Sequence, residues 1–169
     1  MSAAKTLLPD TKINLLGNRV QLYQPVEGFR VSIDAVLLAA AVPAVNGDQA
    51  LDVGSGTGAA AFCLGARVAG VRVHGLELQN DLVSIARTSA FLNGGRNKIE
   101  FFIGDLLAPP NNIQQNSYKH ILANPPYMKS KSGQVPSNPS KALATIEGNA
   151  SLGDWLDFCF IKLVRKGTF

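Results

Sequence analysis

The chain predicts an α/β fold, a mostly parallel, doubly wound, Rossmann-like sheet, from three observations. Short apolar runs alternate with helix-like segments. The runs are apolar on both faces, as strands buried between helix layers must be. A glycine cluster, Gly54-Ser55-Gly56-Thr57-Gly58, sits where the first such run meets its helix. At 169 residues the chain is long enough for one domain with its own buried core.

The elements follow in order. Residues 12–24 form short strand pieces, in which alternation puts Val20, Leu22 and Gln24 on one face and Arg19, Gln21 and Tyr23 on the other. Pro25 and Gly28 mark a turn. Ser32 opens a helix through Ala41, and Pro43 stops it. Ala50–Val53 is a short apolar strand, and Thr57 to Val68 is an Ala-rich helix. Val71–Glu77 is the next strand. Asn80 to Asn93 is a helix with Leu82, Ile85, Ala86, Ser89 and Leu92 facing inward. Ile99–Ile103 and Tyr118–Ala123 are two further strands, joined by right-handed crossovers.

Residues 128–141, rich in Ser, Pro and Lys, have the composition of a mobile loop. A last helix starts at Ser151, with Asp154 completing a capping box. Its expected buried stripe is Leu152, Trp155, Leu156, Cys159, Phe160 and Leu163. Gly167 is expected to end it, with Thr168-Phe169 as the first step of another strand. A doubly wound sheet normally continues beyond that point. The expected organisation is therefore one domain: an N-terminal segment over 1–46 and a core over 47–169 that lacks its C-terminal strands.

Composition narrows the class. Hydrophobic residues make up 46% and charged residues 17%, which is globular composition and excludes a disordered chain. No apolar run reaches the roughly 18 residues that span a bilayer, and the N-terminus lacks the apolar core and cleavage site of a signal peptide. Cys63 and Cys159 lie in apolar helical stretches without a CxxC partner, so they are expected to be buried free thiols in a cytoplasmic protein. With His74 and His120 they make no plausible zinc set, and no metal is expected. The net charge of +4 leans weakly toward a polyanionic partner.

The glycine cluster carries the first chemical signal. Glycine is needed where a backbone turns sharply and approaches a ligand, and a helix N-terminus offers free N–H groups. Gly54, Gly56 and Ala59 satisfy the dinucleotide pattern, so the loop alone is ambiguous. Asp52, two residues before the first glycine, can organise the loop and meet a ligand ammonium. Gly58 is expected to open room for a methionine part in place of a pyrophosphate. Both features favour S-adenosylmethionine. Glu77 ends the second strand of the core, where a carboxylate can accept from both ribose hydroxyls, though it would serve NAD equally. Asp105, in Gly104-Asp105-Leu106, can accept from an adenine amine, with Leu106 packing beside it.

Asn124-Pro125-Pro126-Tyr127 closes the fourth core strand and is the most specific motif. Consecutive prolines end the ladder and stiffen the backbone. The Asn124 side-chain oxygen and the Pro125 carbonyl can then converge on the two hydrogens of one NH2 group. Such an amine, conjugated to a ring or carbonyl, is a poor nucleophile. Hydrogen bonds to its protons favour the pyramidal form whose lone pair can attack a nearby methyl. Tyr127 supplies a flat face for the acceptor.

With these residues, the chain resembles the NPPY amino-methyltransferases, and among them the bacterial valine-tRNA adenine-N6 methyltransferase family. The resemblance runs through Gln24-Pro25, Gly28-Phe29-Arg30, Ser32-x-Asp34-Ala-Val-Leu-Leu-Ala, LDVGSGTG, Gly75-Leu76-Glu77-Leu78-Gln79, Asn93, Gly104-Asp105, NPPY and Leu152-x-Asp154-Trp155. It implies a class I methyltransferase fold and methyl transfer to N6 of an adenine beside the anticodon. It also implies that the Gln24–Asp34 segment closes over the cofactor, which makes Arg30 and Asp34 candidate binding residues. The candidate cofactor set is then Arg30, Asp34, Asp52, Gly54, Ser55, Gly56, Thr57, Gly58, Glu77, Leu78, Gly104, Asp105, Leu106 and Asn124. The candidate catalytic set is Asn124, Pro125, Pro126 and Tyr127.

The expected partner is tRNA, with Lys129, Lys131 and Lys141 available to phosphates; no membrane partner is expected. A release-factor type glutamine methyltransferase is the main alternative, because a glutamine amide presents a similar NH2. An NAD-dependent oxidoreductase and a non-catalytic RNA-interaction module are the readings from other classes. NPPY and the third glycine, Gly58, argue against the first, and intact Asp52, Glu77, Asp105 and Asn124 argue against the second.

Overall fold

The computed structural model describes residues 11–28, 30–94, 99–125 and 149–169. Phe29, Pro126, Tyr127 and the 128–141 segment with its three lysines lie outside the described residues.

The chain begins with an antiparallel hairpin, β1 (Thr11–Leu15) and β2 (Val20–Gln24). The alternation read from the sequence holds, with Val20, Leu22 and Gln24 buried. Helix α1 (Ile33–Ala41) follows, then β3 (Gln49–Val53), α2 (Ala59–Arg67), β4 (Arg72–Glu77) and α3 (Asn80–Leu92). Next come β5 (Ile99–Ile103), β6 (Tyr118–Ala123), α4 (Leu152–Lys162) and β7 (Leu163–Thr168). The five core strands form one parallel sheet in the order β5-β4-β3-β6-β7. The chain steps outward from β3 to β5, then returns to the other side of β3. That reversal opens a crevice at the carboxyl ends of β3 and β6, where ligands of doubly wound sheets bind.

Two apolar layers flank the sheet. One includes Val20, Leu22, Ala50, Phe62, Leu64, Val73, Val83 and Phe101, joining the hairpin, α1, α2 and α3 to the sheet. Helix α2 is buried over Ala59–Gly65, which its run of small residues permits. The Arg67 guanidinium donates to the carbonyls of Ala39 and Val42 and so closes the end of α1. The side-chain amide of Asn93 pairs with the free backbone of β2, accepting from Gln21 N at 3.0 Å and donating to Gln21 O at 2.7 Å. Ser89 Oγ accepts from Tyr23 N at 2.9 Å. An exposed strand edge is satisfied there by side chains.

The second layer comprises Leu51, Val53, Leu76, Ile113, Tyr118, Ile121, Phe158 and Cys159. Cys63 and Cys159 are both free and buried, as expected. Among the described residues, no helix is long and apolar enough to cross a membrane, and no group of His, Cys, Asp and Glu could hold a metal.

Two expectations at the C-terminal end are corrected. Helix α4 does not run to Gly167: it ends at Lys162, and β7 begins at Leu163. Its buried face is Phe158, Cys159 and Lys162, with Trp155 half-buried, whereas Leu152, Leu156 and Phe160 are exposed. The helix is apolar on several faces, so periodicity alone could not choose between them. Lys162 joins the buried face because its ammonium donates to Ile113 O at 2.8 Å and stands 5.3 Å from the Phe158 ring centre. His120, 2% exposed, braces the sheet through Asp48 Oδ2 at 3.0 Å and Thr168 Oγ1 at 2.7 Å.

Candidate active site

At the carboxyl end of β3 the chain enters the glycine turn. Gly54 N and Ser55 N both donate to Leu76 O, at 2.8 and 3.1 Å, which ties the turn to β4. Gly54, Gly56 and Gly58 have φ of +70°, +55° and +86°, a region that side chains with a Cβ avoid. The turn therefore needs glycine at all three positions for its backbone alone.

Glu77 is the electrostatic centre of the turn. Its Oε2 accepts from Gly56 N at 2.9 Å and its Oε1 from Gln79 N at 2.8 Å. Burial raises its pKa, and the backbone donors of Gln79, Gly56 and Leu78 oppose that rise. Asp52 lies beneath the turn at 3% exposure, its Oδ2 accepting from Ala61 N at 3.2 Å. Burial pushes the Asp52 carboxyl up to about 7; the Ala61 donor opposes the shift and the Glu77 charge adds to it. Two buried carboxylates facing one turn are poised to receive cationic or hydrogen-donating groups.

A cavity of about 300 Å³ opens on this turn. Its wall brings together Arg30, Asp52, Gly54, Ser55, Gly56, Glu77, Leu78, Gly104, Asp105, Leu106 and Asn124, eleven of the residues singled out from the sequence. Asp105 is held by its own loop: its Oδ1 accepts from Leu107 N at 2.9 Å. Among the described residues, four expected ones are not in the wall. Asp34 is exposed at the start of α1, accepting from Ser32 Oγ at 3.0 Å. Thr57 is fully buried, and Pro125 is half-buried beside the lining residue Asn124. Gly58 opens no room for a ligand: a Cβ there would stand 2.5 Å from Phe101 Cζ and 2.9 Å from Phe62 Cε2. Its bare α-carbon admits the ring pair beneath α2.

Sequence reasoning missed Gln79, Asn149, Ala150 and Trp155, which also line the cavity. The capping box before Trp155 was readable, but nothing local said that the helix start would face the glycine turn.

Register joins the two motifs. Val53 pairs with Ala123, so Gly54 and Asn124 are the next residues on adjacent strands. The residues present fit an adenosyl cofactor with an amino-acid arm. The wall offers a buried carboxylate at Glu77, an apolar flank at Leu78 and Leu106, and a second buried carboxylate at Asp52. Ser55 Oγ, buried in the same wall, has no protein partner among the described residues.

Comparison with known proteins agrees with this geometry. The model of the methyltransferase small domain matches residues 30–138. A tRNA1(Val) (adenine(37)-N6)-methyltransferase of Aeromonas hydrophila is 30% identical over 82% of this chain and 57% of its own length. A release factor glutamine methyltransferase of Aliivibrio fischeri is 30% identical over 63% of this chain and 38% of its own. The chain thus spans little more than half of the former and less than half of the latter. Among solved structures, a protein of Agrobacterium tumefaciens described as a predicted O-methyltransferase superposes with a TM-score of 0.60 at 23% identity, covering 79% of this chain and 57% of its own. Fold, cavity and family agree on a domain built around S-adenosylmethionine, and the chain belongs to the methyltransferase small domain family.

Proposed function

We propose that this domain transfers a methyl group to the exocyclic NH2 of a planar acceptor, namely N6 of an adenine in tRNA. The observation that carries the reading is the adjacency of Asn124 and the glycine turn on one cavity wall. S-adenosylmethionine supplies an electrophilic sulfonium methyl. The protein's part is to hold and orient. Glu77 accepts from the ribose hydroxyls, Leu78 and Leu106 flank the adenine, and Asp105 accepts from its amine. Asp52 faces the ammonium of the amino-acid arm, through its organisation of the turn.

Asn124 Oδ1 and the Pro125 carbonyl accept the two acceptor hydrogens, so the lone pair turns toward the methyl. From the motif alone, Pro126 would add stiffness and Tyr127 would offer a stacking face. No covalent nucleophile is required: the N–C bond would form as the methyl–sulfur bond breaks, S-adenosylhomocysteine would leave, and the amine proton would pass to water. The N-terminal segment, 1–46, contributes Arg30, Val31, Ser32, Ala35 and Leu38 to the wall, which supports a capping role over the 47–169 core.

A glutamine amide presents the same pair of hydrogens, and one relative at 30% identity carries that name. Tritiated methyl transfer to bulk tRNA, against transfer to a release factor, separates the two acceptors. Nucleoside mass spectrometry of the product then identifies N6-methyladenosine or overturns the assignment. Asn124→Ala is expected to abolish transfer while S-adenosylhomocysteine binds within about threefold of the unaltered protein. Near-normal turnover would refute the role of Asn124.

A further inference from the structure

Trp155 occupies an unusual place for a helix residue above a core. It stands half-buried in the first turn of α4, while its neighbours Phe158 and Cys159 are buried beneath it. Its ring edge lies against the bare α-carbon of Gly54: a Cβ built there would stand 2.8 Å from Trp155 Cη2. Gly54 in turn precedes the strand gap to Asn124, and adjacent strands are about 4.8 Å apart. Trp155, Gly54 and Asn124 therefore line one stretch of wall, with Asn149 and Ala150 beside them.

The backbone that carries the indole is also held in place. Ser151 N donates to Asp154 Oδ2 at 2.8 Å, and Ser151 Oγ accepts from Asp154 N at 3.2 Å, so the capping box fixes the helix start. An aromatic side chain in a cavity wall, one strand from Asn124, has the form of a stacking platform.

We infer that Trp155 is the wall of the acceptor subsite, and that it selects a flat nucleobase over a side-chain amide. The inference rests on the methyl-transfer reading above. A purine ring can cover the part of the indole that faces the cavity, and a base stacked on an aromatic side chain gains affinity whatever its sequence context. A glutamine amide is a small plane on a flexible stem and covers little of the same surface.

Trp155 is the single tryptophan of the chain, so its fluorescence reports on the subsite directly. The full chain is first saturated with S-adenosylhomocysteine and then titrated with an adenine-containing oligoribonucleotide. Quenching is expected, with none from the same strand carrying an abasic site and none from a glutamine-containing tripeptide. Trp155→Leu is expected to raise the KM for tRNA about tenfold, with S-adenosylhomocysteine affinity changed by less than about threefold, while Trp155→Phe stays near the unaltered value.

Absence of quenching in a protein that still methylates tRNA overturns the inference and leaves the methyl-transfer reading standing. So does an unchanged KM in Trp155→Leu. Quenching by the glutamine peptide but not the oligoribonucleotide overturns the choice of base. Should Trp155→Leu fail to fold, the titration of the unaltered protein decides. An unaltered protein that neither binds S-adenosylhomocysteine nor methylates tRNA overturns both readings together.

Discussion

Replacing Gly58 by alanine tests whether this glycine serves the ligand or the core. The backbone there has φ of +86°, and a left-handed conformation costs an L-residue about 1–2 kcal/mol. The added methyl would meet Phe101 Cζ at 2.5 Å, Phe101 Cε1 at 2.8 Å and Phe62 Cε2 at 2.9 Å, all side-chain ring atoms in a closed layer. These rings touch one another with centroids 5.4 Å apart, so neither can retreat without disturbing its partner. Overpacking of this kind typically costs about 1–3 kcal/mol.

The combined penalty is on the order of 2–5 kcal/mol, against a total stability of roughly 5–15 kcal/mol for a domain. At about 2–4 °C per kcal/mol for a chain of this length, Gly58→Ala is expected to lower the Tm by roughly 4–20 °C. Thermal unfolding followed by circular dichroism reads this shift, and calorimetry with S-adenosylhomocysteine reads binding well below the new Tm. A variant with unchanged Tm but lost binding would refute the packing argument and return Gly58 to the ligand.

The other expectations concern charge and the sheet's far end. Burial lifts the Asp52 carboxyl to about 7 from an ordinary 3.8, so the folded protein keeps a proton that the unfolded chain has released. The stability this group contributes is full below the unfolded value and is lost as pH rises through about 7. Asp52→Asn should flatten that decline in denaturant titrations across the same window; an unchanged slope would place the burial effect elsewhere. A ligand ammonium favours the ionised carboxyl, so S-adenosylmethionine should bind more tightly as pH rises through that value and release protons on binding. Calorimetry in buffers of differing ionisation heat measures this release, and Asp52→Asn should erase it.

At the opposite end of the sheet, His120→Ala should remove the bonds to Thr168 and to Asp48, which keeps its Val45 N donor, cost about 1–3 kcal/mol and speed hydrogen exchange in β7 before β3. Equal exchange in both strands would show that the histidine does not pin the edge.

Much of this molecule was legible in one dimension. Four of the five core strands, β3 to β6, announce themselves by short apolar runs, because a parallel strand buried on both faces tolerates little else; β7, with Arg165 and Lys166 exposed, does not. The glycine turn and NPPY were readable because each solves a local problem: a backbone with positive φ needs glycine, and a strand end next to a ligand needs stiffness. Gly54 and Gly56 of the turn and Asn124 of NPPY do meet on one cavity wall, together with Glu77 and Asp105.

Other assignments depended on contacts that no local pattern encodes. Gly58 looks like its two neighbours in sequence, yet Phe62 and Phe101 give it a packing role. Asp34 was a plausible binding residue from its surroundings, whereas Trp155 read only as part of a buried helix stripe. Tertiary packing turned the first to solvent and brought the second against Gly54. Helix α4 is apolar on several sides, so only docking on β3 and β6 chose Phe158, Cys159 and Lys162 over Leu152, Leu156 and Phe160. Sequence alone thus determined the elements and the chemical groups, since backbone conformation and side-chain type are local properties. Which groups share a cavity was decided by sheet order and register, which arise only when distant strands pair.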